Sequence, residues 1–298
     1  MELPMDLIPL EGGFSGETFV TGAPGEQVVV RIHAGRSRAR GPAAVDIDAA
    51  VLRLMRGIVP VPQVLEVRRP TGELPGLLVT EFLAGERADH LLPMLDRESL
   101  AQVGANLGAL VDRLTHVPTL RAGPFVDETL RIGDDLGPDG LPGWVEAQLP
   151  ALSTWNASLR TRLIRLAESA QDLLDTVDRT CLVHGDLNLK NLLIDPATLQ
   201  VTGVLDWEFA RSGSPYSDLG NLLRFERDED FVAGVLRGLG SAESRSDLLD
   251  LGRAADLVAL VDLAVRDHDP EGRNPVTSAA QALLLDLASH GLPTGCLD

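Results

Sequence analysis

The chain is almost devoid of lysine: of its 26 basic residues only Lys190 is one, and the others are arginine. Cysteine is as scarce, with Cys181 and Cys296 the only two in 298 residues. Two cysteines cannot by themselves build a disulfide framework or a four-ligand zinc site. Cys181 stands in an apolar run and is expected in the core, Cys296 in the tail. No apolar run approaches the roughly 20 residues of a membrane helix. The opening MELPMDLIPLEGG has neither a basic region nor a cleavage pattern. A cytoplasmic protein with no membrane partner is therefore expected. The 26 basic residues face 44 acidic ones. That balance argues against nucleic acid, which is gripped by Lys and Arg on phosphates. The acidity is uneven: residues 1–86 hold 8 arginines and 11 acids, residues 87–298 hold 18 basic and 33 acidic residues.

What is present is ordinary globular material, 44% hydrophobic and 23% charged, long enough for two domains or one large one. The stretch Gln27–His33 is β-branched and reads as a strand, with Val28, Val30 and Ile32 on one face and Val29, Arg31 and His33 on the other. Asp48–Met55 switches to helical spacing, and Val64–Val67 and Leu77–Phe82 are further short apolar runs. Beyond Gly85 the pattern becomes helical at Leu100–Leu114, Leu159–Val177, Ser217–Phe225, Leu248–Val265 and Ala279–Leu287, with a loop over Gly123–Leu141. Leu159, Leu163, Leu166, Ala170, Leu173 and Val177 form a stripe at 3.6 spacing, read as core. His116, His268 and His290 have no partner spacing and read as surface or helix-end residues.

The densest chemistry lies between Leu182 and Glu208, LVHGDLNLKNLLIDPATLQVTGVLDWE. A strand runs into a sharp turn at His184–Gly185, followed by Asp186 and, five residues on, Asn191. Two short strands then flank a turn at Asp195–Thr198, and Asp206 closes the second. A hairpin turning between Thr198 and Leu199 would set Asn191 opposite Asp206, beside the loop that carries Asp186. One amide oxygen and two carboxylates would share a small volume. Magnesium takes such hard oxygen ligands and completes its shell with water and phosphate. A carboxylate off the metal can serve as a base, and the set suits phosphoryl transfer.

His184-Gly185-Asp186-Leu187 with Asn191, then Leu205-Asp206-Trp207-Glu208, resembles the catalytic and metal loops of the aminoglycoside phosphotransferases, small-molecule relatives of protein kinases. Ser214-Pro215-Tyr216-Ser217-Asp218-Leu219-Gly220 resembles the same family, in which the aspartate is a structural anchor. Gly185 stands where protein kinases have arginine, and Trp207-Glu208 where they have Phe-Gly, so no protein-kinase activation switch is implied. The resemblance implies a two-lobed, protein-kinase-like α+β fold, with a small β-rich nucleotide-binding lobe (1–86) and a larger, mainly helical catalytic and substrate-binding lobe (87–298). It implies Asp186 as catalytic base and Asn191 plus Asp206 as Mg2+ ligands. Leu10–Thr18, with Gly12, Gly13, Phe14, Ser15 and Gly16, resembles the nucleotide-positioning loop, where glycines let backbone N–H groups approach phosphate. Arg31 stands where kinases place the phosphate-gripping lysine, and Asp48, on the inward face of its helix, is its expected partner. Leu78–Gly85, with Thr80, Glu81, Phe82 and Leu83, resembles the hinge that meets the adenine. The implied activity is transfer of the γ-phosphate of ATP or GTP to a hydroxyl of a small molecule. The expected acceptor is a cationic antibiotic of aminoglycoside or other basic type, hence resistance. A metabolic kinase for choline, a sugar or an amino acid, a macrolide phosphotransferase, and a silent nucleotide-binding module stay open, as do the roles of Lys190 and Glu208.

Overall fold

Residues 7–10, 18–22, 26–34, 40–72, 74–134, 140–226, 228–241, 243–266 and 275–292 are described in a computed structural model of the chain. Cys296 and His268 lie outside them.

The β-branched runs of the N-terminal part pair as an antiparallel sheet. β1 (Ile8–Pro9), β2 (Thr18–Thr21), β3 (Val28–His33), β4 (Val64–Arg68) and β5 (Gly76–Glu81) take the order β1-β2-β3-β5-β4. Helix α1 (Ala44–Met55) packs on β4 and β5. It begins four residues before the expected Asp48, because Ala44, Val45 and Ile47 extend the buried stripe that continues through Val51, Leu52 and Met55. Asp48 sits on that stripe and is 3% exposed. The sheet ends at Glu81, and the next strand, β6 (Glu86–Arg87), pairs instead with a distant hairpin. Between them Gly85 has φ 150°, and a Cβ there would strike the Thr202 hydroxyl.

The remainder is mainly helical: α2 (Ala88–Leu91), α3 (Arg97–Thr115), α4 (Gly140–Gln148), α5 (Ala157–Leu174), α6 (Ser217–Leu223), α7 (Glu229–Gly238), α8 (Arg245–Val265) and α9 (Pro275–His290). Short strands β7 (Pro118–Thr119), β8 (Gly123–Pro124), β9 (Thr180–Val183) and β12 (Arg211–Gly213) form a sheet of order β7-β9-β12-β8. The hairpin β10 (Leu192–Ile194) and β11 (Val201–Val204) joins β6.

Helices α4 and α7 were not anticipated from the pattern. α4 starts at the end of the expected loop. In α7, Gly234 and Gly238 weaken the helical signal, yet they are what the packing uses. Gly104 and Gly108 of α3 meet Gly234 and Gly238 of α7. A Cβ at any of the four would land on a backbone oxygen of the facing helix, at Phe231, Val235, Ala101 or Ala105. The apolar interior falls into two clusters. One joins α1, α3, α6, α7 and the β10–β11 hairpin; the other joins α4, α5, α8 and α9. The α5 stripe supplies Leu163, Leu166 and Ala170 to the second, and Leu173 packs against it. The helix stops at Leu174, so Val177 falls beyond it. Cys181 is 1% exposed, and burial pushes its thiol up to about 12.

Candidate active site

The turn after β9 is shaped by its own residues. Gly185 has φ 80°, and a Cβ there would collide with the Phe209 carbonyl, so glycine is needed. Asp218, at the start of α6 and 2% exposed, accepts both backbone N–H groups of the turn: His184 N at 2.8 Å and Gly185 N at 3.0 Å. His184 Nε2 lies 2.8 Å from the Leu205 carbonyl and so carries the proton, leaving Nδ1 to accept from Asp186 N at 3.2 Å. The His184 ring stacks obliquely on Trp207, centroids 4.6 Å apart. The strand, the turn and the Leu205–Trp207 segment are thereby tied into one unit.

Asp186 and Asn191 are in contact. Asn191 Nδ2 donates to the Asp186 carbonyl at 2.9 Å and to its Oδ2 at 3.2 Å. With Nδ2 turned to Asp186, Oδ1 is the atom left to face a cation. Burial pushes the Asp186 carboxyl above the ordinary carboxylate range, with the charge of Asp206 adding to it, against the pull of His184 and Arg224.

The hairpin register differs from expectation. Leu192 pairs with Val204 and Leu193 with Gly203, the register slips at Ile194, and Leu205 N donates to the Asn191 carbonyl at 2.8 Å. Asn191 thus faces Leu205, one residue short of Asp206. The cause is local. The turn closes between Asp195 and Gln200 with Leu199 left-handed at φ 59°, and an extra residue then enters the second strand. Asp206 itself adopts φ 63°, ψ 60°, a conformation Asp tolerates better than most residues, which re-aims its side chain.

Arg31 reaches this loop from β3. Its Nη1 is 2.6 Å from Asp206 Oδ1 and its Nη2 is 2.7 Å from Glu208 Oε2. Burial opposes the Arg31 charge, but Asp206, Glu208 and Asp48 together hold its pKa above the usual arginine value. Glu208 is pushed up by burial and by Asp206. The expected Arg31–Asp48 pair is not formed. Asp48 is held by Arg40, Nη2–Oδ1 2.6 Å and Nη1–Oδ2 3.0 Å, and His33 Nε2 is 3.8 Å away. Arg40 lies just before α1 and wins the carboxylate by proximity, while Arg31 turns to the two acids that follow β11, Asp206 and Glu208.

These groups open on one cleft of about 1160 Å³. At one end it is bounded by the sheet and the segment after it, including Arg31, Asp48, Thr80, Glu81, Phe82 and Leu83. Gly12, Gly13, Phe14, Ser15 and Gly16 lie outside the described residues; their flanks Leu10 and Thr18 line the cleft. Phe82 N donates to the Gln27 carbonyl and Glu81 Oε1 accepts from Gln63 N. At the other end the walls come from α4, α8 and α9.

Beneath the His184–Asp186 turn lies a buried ionic cluster that the sequence reading missed. Asn221 Oδ1 accepts from Leu187 N at 3.3 Å and its Nδ2 donates to Asp256 Oδ1 at 2.6 Å. Arg224 donates to both oxygens of Asp256 at 2.7 and 2.5 Å, with side-chain exposures of 6% and 2%. The available signal was Asp256 itself, an acid four residues from Gly252 and Leu260 on the buried face of an apolar helix. Asn191 and Asp206 supply two hard oxygen donors next to a cleft, a set that fits Mg2+ with phosphate and water filling the remaining positions. Among the described residues no cluster of three His, Cys, Asp or Glu side chains suits a metal held by protein alone, and no helix is long and apolar enough to cross a membrane.

The chain is matched by the family described as phosphotransferase enzyme family over residues 6–257. An aminoglycoside 3'-phosphotransferase of Streptomyces fradiae is 30% identical over 65% of this chain and 70% of its own length. The mouse acyl-CoA dehydrogenase family member 10 is 26% identical over 72% of this chain, which spans only 20% of that protein. In fold, the chain is similar to the GDP complex of aminoglycoside 2'-phosphotransferase IIIa (TM-score 0.66, 16% identity, 95% and 92% of the two chains covered). It is equally similar to a thermostable mutant of aminoglycoside phosphotransferase APH(4)-Ia with AMP-PNP and hygromycin B (TM-score 0.65, 19% identity, 96% and 95% covered). Arranged as a β-sheet part, a helical part and a cleft between them, this chain belongs to the phosphotransferase enzyme family.

Proposed function

We propose that the protein transfers the γ-phosphate of ATP or GTP to a hydroxyl of a small molecule. The observation that carries this reading is the convergence of Asp186, Asn191, Asp206 and Arg31 on one cleft. The two lobes are taken as 1–86 and 87–298, supported by the switch of sheet between Glu81 and Glu86.

Arg31 orients the donor phosphates, and Thr80, Glu81, Phe82 and Leu83 bound the nucleotide end. Asn191 Oδ1 and Asp206 are the groups that would hold Mg2+. When bound, Mg2+ neutralises charge on the β- and γ-phosphates. The acceptor hydroxyl is oriented by Asp186, which takes its proton as the new O–P bond forms and the bond from the γ-phosphorus to the β-bridging oxygen breaks. The Arg31 bridge to Asp206 and Glu208 opens as phosphate arrives. Gly185, His184 and Asp218 hold the turn still meanwhile. The cytoplasm, which supplies both nucleotides, is the compartment proposed for the reaction.

A basic antibiotic as acceptor, and with it resistance, draws support from the net acidity of residues 87–298 and from hygromycin B in a structural neighbour. The walls of the cleft beyond Asp186 favour a second, uncharged class. The test of the shared reading is labelled-phosphate transfer to a panel of hydroxyl compounds with and without Mg2+. Asp206→Ala should weaken Mg2+-dependent nucleotide binding more than Arg31→Ala weakens Mg2+-free binding; equal Mg2+ dependence in wild type and Asp206→Ala removes Asp206 from the role.

A further inference from the structure

Helix α8 is apolar on two faces. Leu257, Leu260, Val261 and Ala264 belong to the core shared with α4, α5 and α9. Ala255, Val258, Ala259, Asp262, Leu263 and Arg266, spaced three or four apart along a second face, line the same cleft as Asp186. Trp144 of α4, Phe225 after α6 and Val276 of α9 line that end as well, and Phe225 is 40% exposed. Val258 and Leu263 of this face and Trp144 of α4 are partly buried and pack against that core, while their remaining surface opens on the cleft. Apolar walls with a few convergent polar groups are the usual mark of a small-molecule site.

The charges point the same way. Asp262 is bonded by Arg266 at 2.8 Å, Asp89 by Arg87 at 2.7 Å, Asp206 and Glu208 by Arg31, and Asp48 by Arg40. Glu81 accepts a backbone N–H, and Glu226 has an interaction of its own. At the α8 wall the Asp262 carboxylate is already matched, so a polyamine lying there would lose water at each ammonium for little return; the acids left to an acceptor are Asp186 and, once Arg31 turns to the donor, Glu208, both at the reacting end. The surplus acids lie elsewhere, for example Glu168, Asp172 and Asp175, exposed on and just after α5 and outside the cleft lining.

We infer that the acceptor is an uncharged amphipathic alcohol, whose hydroxyl meets Asp186 and whose carbon-rich body lies along Val258, Ala259 and Leu263 among Trp144, Phe225 and Val276. The inference rests on the phosphotransfer reading for the hydroxyl alone. The hydroxyl oxygen gains the γ-phosphoryl group, the nucleoside diphosphate leaves, and the hydroxyl proton passes to Asp186.

The test uses the full chain with ATP or GTP and Mg2+. Acceptors are secondary alcohols of about four to about twelve carbons, expected to gain about fourfold in kcat/KM per buried methylene until the wall is covered. Kanamycin and hygromycin B are the opposing arm. Binding is read separately from the fluorescence of Trp144, taken as wild type minus Trp144→Phe. Val258→Asp should lower kcat/KM for the longest alcohol tenfold or more and leave nucleotide affinity unchanged. A better rate on either antibiotic, rates that ignore chain length, a neutral Val258→Asp, or alcohols that neither bind nor react each overturn the inference. Alcohols that shift Trp144 fluorescence without receiving phosphate leave the apolar site standing and overturn the phosphotransfer reading. Transfer to the antibiotics alone does the reverse.

Discussion

The two ends of the cleft are built by opposite means. The end at the sheet is polar, and its groups are aimed by particular local backbone: a glycine turn at φ 80°, an aspartate at φ 63°, and a strand whose arginine is strung between two acids. The end at α8 is an apolar wall on regular helices, with its charges paired off. The first arrangement fixes atoms to within a bond length, as a phosphate and a proton transfer require. The second fixes only shape and polarity. Divergence in such a family therefore has room at the helical end, and the comparison predicts which perturbations should spread across the cleft and which should stay local.

The largest expected effect is one that ignores the acceptor. Asp186→Asn should cut kcat by about 10²–10⁴ with every acceptor tried while nucleotide affinity stays near wild type. Steady-state kinetics with two chemically unlike acceptors decides it, and a loss confined to one of them would make Asp186 a specificity group of the helical end. Next comes the buried cluster linking both ends. Asp256→Ala strips the buried Arg224 guanidinium of its two-point carboxylate contact and Asn221 of its acceptor, and should cost about 3–5 kcal/mol of stability. Thermal melting should fall on the order of 10 °C. An unchanged melting temperature would mean the pair is hydrated. Smaller and purely local is the cap of α5, where Asn156 Oδ1 accepts Leu159 N at 3.0 Å. Asn156→Ala should cost about 1 kcal/mol by denaturant melts, with nucleotide affinity untouched.

How much of this was readable from the sequence follows the same divide. Asp186, Asn191 and Asp206 lie within one strand–turn–hairpin segment, so residue types and local pairing rules suffice to bring them together. Even there the register was off by one, because a left-handed Leu199 and a bulge carry no composition signal. Arg31 was recognisable as a strand cation at the site, but its partners lie 175 and 177 residues away, and nothing in the local helix spacing favours them over Asp48. Arg40 was missed for the converse reason, standing in a glycine-bounded stretch that looks like plain linker. The wall at the other end is drawn from α4, α6's flank, α8 and α9. On α8 a core stripe and a cleft stripe lie side by side, and from periodicity they merge into one buried helix.

The smallest expected effect is the one that separates the two ends most sharply. In the proposed reaction nucleotide phosphates are met by Arg31 in a partly open cleft, so their attraction should be screened by salt, over about 8 Å at physiological strength. Raising sodium chloride should raise the KM for the nucleotide. An uncharged acceptor on an apolar wall has no such dependence, because no net field acts on it. Its KM should change by less than about twofold over the same range. Replacing chloride by sulfate, which strengthens apolar burial, should hold that KM level or lower it. A polycationic acceptor demands the contrary sign: its KM must climb with either salt, as the nucleotide's does. Titrating donor and acceptor KM in the two salts thus asks one cleft for two slopes. Parallel slopes would mean the wall of α8 is not where the acceptor lies; divergent ones would assign charge to the sheet end and apolar contact to the helical end.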